Sequence, residues 1–417
     1  MTFDPTTKVS ELAAGGPALF FPDPPAPVTF NFDQGLAAEE TFPLEDFKTL
    51  MSDVIDRDGG LALEYISMDY DRDADQITYL PTYIELMLGN TALREEVATW
   101  IGESQGVSGL TADNFILCSG SVQAIALAVN ALVNPGEGVL VEKATFPYAM
   151  RFMHMRDADV RTVDIDEHGL DPASLRARLE EFKRDGVVPK LLYVIPTFQL
   201  PTCVVMPEER RREVLAIAEE YDIVVLEDAI YSDLRYSGDP VPSLLSLDTS
   251  GRVIQSHGFS KVLAPALRIG WIAASTPLIN ALASVRQDLG VSQWMCRMMV
   301  DFMQQGKLDP HIEKANAVYR RKRDIAVAAV REHCGDLVSF DVPDGGFYLW
   351  LQIAENVDWE KAQHEAAMAG VFCRPGEKFL GEDAGRGYLR LAYSHAPDHE
   401  IARGIKALGE AIVANAH

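Results

Sequence analysis

Four stretches of the chain combine residue types that can do chemistry. Ser119-Gly120-Ser121-Val122-Gln123 joins an apolar run to an apolar segment of helical length. Glycine permits a tight turn there, Ser121 is placed to cap the helix, and open N–H groups at a helix N-terminus attract a phosphate. Many strand-to-helix turns look like this, so alone it marks only a loop. Glu227-Asp228-Ala229-Ile230-Tyr231 follows a second apolar run. A carboxylate at the end of a buried strand faces a crevice, but it also serves as the N-cap of a following helix, the plainer reading when taken alone. Gly258-Phe259-Ser260-Lys261 is followed by Ala264-Pro265-Ala266-Leu267-Arg268-Ile269-Gly270-Trp271. Its lysine reads equally as a solvated loop residue or as a Schiff-base amine beside a phosphate-binding arginine. Arg390 in Tyr388-Leu389-Arg390-Leu391 alternates with apolar neighbours. If buried it needs a partner, either an ordinary salt bridge or a bidentately held carboxylate.

These residues need a scaffold that ends in the right places. Apolar runs of strand length at 114–118, 138–141, 190–195, 222–226, 252–255 and 269–274 alternate with helical patterns at 121–133 and 207–220. That alternation predicts an α/β domain around a mostly parallel sheet. Runs apolar on both faces, such as Ile223-Val224-Val225-Leu226, suit strands covered by helices on each side. Most of the four stretches then fall at strand ends, where open α/β sheets bind ligands. From Asp309 the pattern changes: a long amphipathic helix over 310–333, short strands at 347–351 and 388–392, and a last helix over 398–413. In that last helix Ile401, Ile405, Leu408 and Ile412 form one apolar stripe. The first thirty residues, rich in Pro and Gly, read as an extended arm. The expected division is 1–60 for the arm and part of a small domain, 61–308 for a large domain, and 309–417 for the rest of the small one.

Composition removes several function classes. The 417 residues are 47% hydrophobic and 24% charged, which excludes a collagenous, low-complexity or disordered chain. Asp and Glu number 62 against 37 Lys and Arg, a net charge of −25. Nucleic acid and anionic membrane both demand basic surface, so neither is an expected partner. No apolar stretch approaches the ~18 residues of a membrane span, and the N-terminus lacks the pattern of a secretory signal. Cys118, Cys203, Cys296, Cys334 and Cys373 show no C-x-x-C spacing. That predicts a reducing, cytoplasmic setting, and no metal site is expected.

Taken together, in this order and spacing, the four stretches resemble a fold-type I pyridoxal-phosphate enzyme of the class I/II aminotransferase group. Within it the likeness is to the α-aminoadipate/kynurenine aminotransferase-like branch, from about Phe32 to the C-terminus. The family pattern S-[FL]-S-K-x-x-x-P-x-L-R-x-G-W appears as Gly258-Phe259-Ser260-Lys261…Pro265…Leu267-Arg268…Gly270-Trp271, with only its first position different. Further matches are Phe32…Gly35-Leu36, Thr41-Phe42-Pro43, Gly89…Leu93-Arg94, Asp344-Gly345-Gly346-Phe347 and Arg390-Leu391. The resemblance implies an aspartate aminotransferase-like architecture: a large cofactor-binding α/β domain, its mostly parallel sheet flanked by helices, plus a smaller α+β domain. It also implies a homodimer whose subunits complete each other's sites, with Tyr79 or Tyr83 reaching across.

Residue roles follow from the same resemblance. Lys261 would form the Schiff base with pyridoxal 5′-phosphate and shuttle the proton at the substrate α-carbon. Asp228 would pair with the pyridine N1–H, Tyr231 would hydrogen-bond O3′, and Phe146 would stack on the ring. Gly120, Ser121, Val122, Ser260 and Arg268 would hold the phosphate. Arg390, helped by the backbone at Gly35, would hold the substrate α-carboxylate. Phe146 stands where the family usually has a Tyr, and three further departures matter more. Leu200 stands for an Asn that donates to O3′, Cys203 for a Gly, and Gly258 for a Ser that contacts the phosphate. Cys203 is expected to fill space rather than act as a thiol. The implied activity moves an amino group between an α-amino acid and a 2-oxo acid. The departures leave open another reaction on the same fold: elimination, cyclisation, decarboxylation or oxidation. A regulatory, DNA-binding relative of the fold is disfavoured by the charge and by the roughly thirty residues before Phe32.

Overall fold

A computed structural model describes residues 24–64, 86–380 and 382–417. Most of the expected arm, and both Tyr79 and Tyr83, lie outside the described residues. A seven-stranded sheet runs in the order β2 (Phe115–Cys118), β10 (Gly270–Ala273), β9 (Val253–Gly258), β8 (Val224–Asp228), β7 (Pro189–Val194), β3 (Gly138–Glu142) and β4 (Asp159–Val163). Strand β10 is antiparallel to both its neighbours, and the other pairs are parallel. The remaining six strands therefore end on one edge, where β10 begins.

Successive side chains of a strand point to opposite faces, and here each face finds its own core. Val139 and Val141 join one apolar cluster and Leu140 the other; Leu191 and Tyr193 are likewise parted from Leu192 and Val194. This explains why the strands read as continuously apolar. The helix Ser121–Leu132 packs on β9 and β10, Pro172–Asp185 on β3 and β4, and Glu208–Glu220 on β8. Local signals set the helix ends. Asp171 accepts hydrogen bonds from the Ala173 and Ser174 N–H groups at 3.0 and 3.3 Å, Pro172 follows, and Gly186 ends the helix at φ 71°.

A second sheet has the order β1 (Phe30–Phe32), β13 (Val371–Pro375), β14 (Tyr388–Ala392), β12 (Tyr348–Ile353) and β11 (Val338–Ser339). Strand β1 runs parallel to β13 and so ties the N-terminal segment to the C-terminal one. Helices Leu308–Cys334 and Asp398–Ala414 pack together, with the Ile401, Ile405, Leu408, Ile412 stripe fully buried. A two-residue ribbon, β5 (Ile165–Asp166) with β6 (Gly169–Leu170), completes the strands. The strand expected over 222–226 is displaced by two residues, which makes Asp228 its last member. Among the described residues, no helix is long and apolar enough to cross a membrane.

Candidate active site

The edge where β2, β9 and β8 end gathers three of the four stretches. Cys118 of β2 and Gly258 of β9 flank Gly270 of β10 in register. The turn after β2 passes through Gly120 at φ 85°, where a Cβ would lie 2.7 Å from the Arg268 guanidinium. Arg268 itself holds a left-handed conformation at φ 52°, unusual for a residue with a side chain. It donates to the Ser119 carbonyl, so both ends of this cradle are joined. Ser121 proves not to be the cap: Gly120 occupies that position, no side chain caps it, and Ser121 begins the helix. The Gln123 side chain instead turns back to accept from the Ser119 N–H at 2.6 Å. The first turn of the helix begins at Ser121 and Val122 with Arg268 beside it at Gly120, an arrangement of N–H groups and guanidinium able to attract an anion.

The middle of the site is built by β8 and by the turn after β9. Asp228 is buried and accepts from Tyr193 Oη at 2.7 Å and the Ile230 N–H at 3.3 Å. No helix follows directly, so Asp228 is not an N-cap. Burial raises its pKa, while the Tyr193 hydroxyl, the Ile230 N–H and the charges of His257 and Lys261 hold it down. Lys261 is half-buried, and its Nζ donates to the Gly35 carbonyl at 2.8 Å and lies 5.6 Å from the Tyr231 ring centre. Burial brings its pKa down to about 8, with the Arg390 charge pushing the same way and Asp228 opposing. A share of this amine is thus neutral and nucleophilic near physiological pH. Ser260 is half-buried beside it. Phe146, half-buried, precedes the helix Pro147–Met155 and packs at 5.4 Å against Tyr148. Leu200 is buried in the 196–204 loop, preceding Pro201 through a cis peptide. Cys203, at φ 58°, has its thiol pushed up to about 12 by burial, which suits packing rather than reactivity.

The far end is the small sheet's contribution. Arg390 on β14 is buried, donates to the Asp33 carbonyl, and lies 4.5 Å over the Tyr348 ring and 5.0 Å from Phe379. An ordinary salt bridge does not use it up. The Asp33 carboxylate is gripped through two nitrogens by Arg374, stands 4.0 Å from Arg390, and leaves Arg390 Nε buried without a partner among the described residues. Gly35 touches both halves: its carbonyl receives Lys261, and a Cβ there would meet Tyr348 Oη at 1.9 Å.

Sequence reasoning missed a set of buried polar residues behind these groups. Glu142 ends β3, accepting from the Ile195 N–H at 3.0 Å and Gln199 Nε2 at 3.3 Å. Gln199 also donates to the Ala144 carbonyl at 2.6 Å and accepts from Thr202 Oγ1 at 2.8 Å, tying the loop before Phe146 to the loop carrying Leu200. Tyr193, Asp33 and Tyr348 are the others. The only sequence signal for Glu142 was a charge ending an apolar strand.

This arrangement fits a ligand with an anionic phosphate at one end, a protonated ring nitrogen facing Asp228 and a carbonyl carbon within reach of Lys261, leaving Arg390 for a carboxylate. Known proteins agree with that chemistry. The family described as Aminotransferase class I and II matches residues 84–408. An aromatic-amino-acid aminotransferase of Thermococcus litoralis is 33% identical over 380 residues, covering 91% of this chain and 86% of its own. The crystal structure of a multiple substrate aminotransferase from Thermococcus profundus superposes with a TM-score of 0.87 at 30% identity, covering 99% of each chain. An α-aminoadipate aminotransferase of Thermus thermophilus, solved with N-(5′-phosphopyridoxyl)-L-leucine, gives 0.83 at 26% identity, again over 99% of each chain. With the lysine, the aspartate and both arginines at the ends of such a scaffold, the chain belongs to the class I and II aminotransferases and uses pyridoxal 5′-phosphate.

Proposed function

We propose that the assembled residues divide the work of amino-group transfer between an α-amino acid and a 2-oxo acid. When bound, pyridoxal phosphate supplies a carbonyl that takes up the amino group and a ring that draws electrons from the substrate α-carbon. Lys261 carries the cofactor and moves the proton at the α-carbon, a task suited to an amine whose pKa is near 8. Asp228, held by Tyr193, keeps the ring nitrogen protonated. Tyr231 donates to O3′, and Phe146 stacks on one ring face. The backbone at Gly120, Ser121 and Val122, with Ser260 and Arg268, binds the phosphate. Arg390 takes the substrate carboxylate on its Nε edge, which has no partner among the described residues, beside the backbone of Gly35. The large and small domains divide at about 60 and 309. The enzyme works as a cytoplasmic homodimer, supported by the family's habit of completing each site from two subunits and by five free cysteines.

The observation that carries this reading is the contact of Lys261 with Gly35, which holds the amine where it feels the charges of both Arg390 and Asp228. Borohydride reduction of the purified enzyme should fix a pyridoxyl label on the Lys261 peptide. An amino donor should then convert unreduced enzyme to its pyridoxamine form with release of the matching oxo acid. A label on another lysine, or turnover retained in Lys261→Ala, refutes the assignment.

A further inference from the structure

Tyr348 opens β12, is 2% exposed, and belongs to none of the motifs above. Its hydroxyl stands 2.8 Å from that of Tyr231, and among the described residues neither hydroxyl has another hydrogen-bond partner. We propose that Tyr348 is a positioning residue: it donates its proton to the Tyr231 oxygen, turns the Tyr231 proton toward the cofactor's O3′, and so stands in for the donor that Leu200 lacks. This rests on the proposed role of Tyr231.

The direction of the bond follows from counting protons. Burial keeps both phenols protonated at neutral pH. Two such hydroxyls hold two protons, one in the shared bond and one pointing outward. Were Tyr231 the donor, the outward proton would be that of Tyr348, whose ring lies beneath the Arg390 guanidinium. A proton turned outward beside a cation is disfavoured, and the guanidinium draws density from the ring below it and makes Tyr348 the better donor. Gly35 fixes the geometry, since it leaves no room for a side chain at the Tyr348 oxygen. The charged and titratable groups facing the pair are Arg390, Lys261, Asp228, Asp33 and Cys203. Through the pair, the arginine proposed to hold substrate also strengthens the hydrogen bond to O3′.

The test compares holoenzymes of the wild type, Tyr348→Phe, Leu200→Asn, Tyr231→Phe and the two double variants that add Tyr348→Phe. Borohydride labelling comes first, because loss of label from Lys261 in the wild type defeats the proposed cofactor site and not this inference. The readout is the pH midpoint of the cofactor's visible absorbance, which a donor to O3′ lowers. Tyr348→Phe should raise it by about 0.1 to 0.6 pH unit, from the 10–30% by which one hydrogen bond strengthens the next. The rise should shrink beside Leu200→Asn, where a direct donor is present. In Tyr231→Phe, adding Tyr348→Phe should change nothing. A midpoint unchanged or lowered in Tyr348→Phe, an equal rise with Asn at 200, or a further shift without Tyr231 overturns the proposal.

Discussion

Replacing Glu142 by Gln should alter how stability depends on pH while leaving shape intact. Glu142 is fully buried at the end of β3, with Oε2 accepting two N–H donors and Oε1 without a partner among the described residues. Burial pushes its pKa from 4.5 up to about 8, against the two hydrogen bonds, and the Asp228 charge adds to the push. In the unfolded chain the same carboxyl titrates near 4.5. Between these values the folded state holds a proton that the unfolded state has released. Native stability therefore falls as pH rises through this window, and the loss levels off above about 8. Glutamine keeps an oxygen for Ile195 and Gln199 but has nothing to titrate. At about 1.4 kcal/mol per pH unit, the gap between 4.5 and about 8 is worth roughly 5 kcal/mol. For 417 residues unfolding with about 2.1 cal/mol/K each, that is about 6 °C in Tm. Calorimetry of both holoenzymes should give similar midpoints, or a small fixed offset, at pH 5. By pH 8.5 the Gln variant should have gained about 4 °C on the wild type relative to pH 5, less than the full 6 °C because the unfolded carboxyl is already largely ionised at pH 5. The same offset at both pH values would show that Glu142 does not titrate in this window, and the reasoning would fail.

Three further outcomes are expected. Cofactor capture by apoenzyme should accelerate about tenfold per pH unit up to about 8 and then level, because only the neutral Lys261 amine attacks; a flat stopped-flow profile would contradict this. Asp228→Ala should lose on the order of a thousandfold or more in turnover yet still bind cofactor, since phosphate contacts supply most of the affinity; near-normal turnover would sink that role. Arg390→Lys should raise KM for the amino acid roughly 10- to 100-fold with a smaller change in kcat, because a two-point grip becomes a single point charge. Steady-state kinetics with an unchanged KM would remove Arg390 from the substrate site.

The parts legible in the sequence were those written in local order. Lys261 and Arg268 sit seven residues apart in one turn, and the apolar strands reveal the sheet because both faces are covered. What escaped was written between distant segments. Glu142 with Gln199, Tyr193 with Asp228, and Asp33 with Arg374 are hydrogen-bonded pairs separated by 57, 35 and 341 residues. No period of two or 3.6 brings such residues together. In the sequence Tyr348 is one more aromatic in an apolar strand; only its contact with Tyr231 distinguishes it. A serine after Gly predicts a cap at Ser121, whereas the positive-φ turn at Gly120 takes that place itself.

The crowding of Gly120, Gly258 and Gly270 restricts which sequences this site can reach by single changes. A Cβ at 258 would lie 2.8 Å from the Gly270 Cα, and one at 270 would lie 3.0 Å from the Gly120 Cα and 2.7 Å from the His257 carbonyl. Three chain segments thus share one layer of space with no carbon atom to spare. Gly258 is then more than a serine with a contact deleted. Reintroducing the hydroxyl requires β9 and β10 to move apart, which would also disturb the Gly120 turn. With this backbone a serine at 258 is accommodated only through coordinated changes on several segments, so the three glycines act as one packing unit.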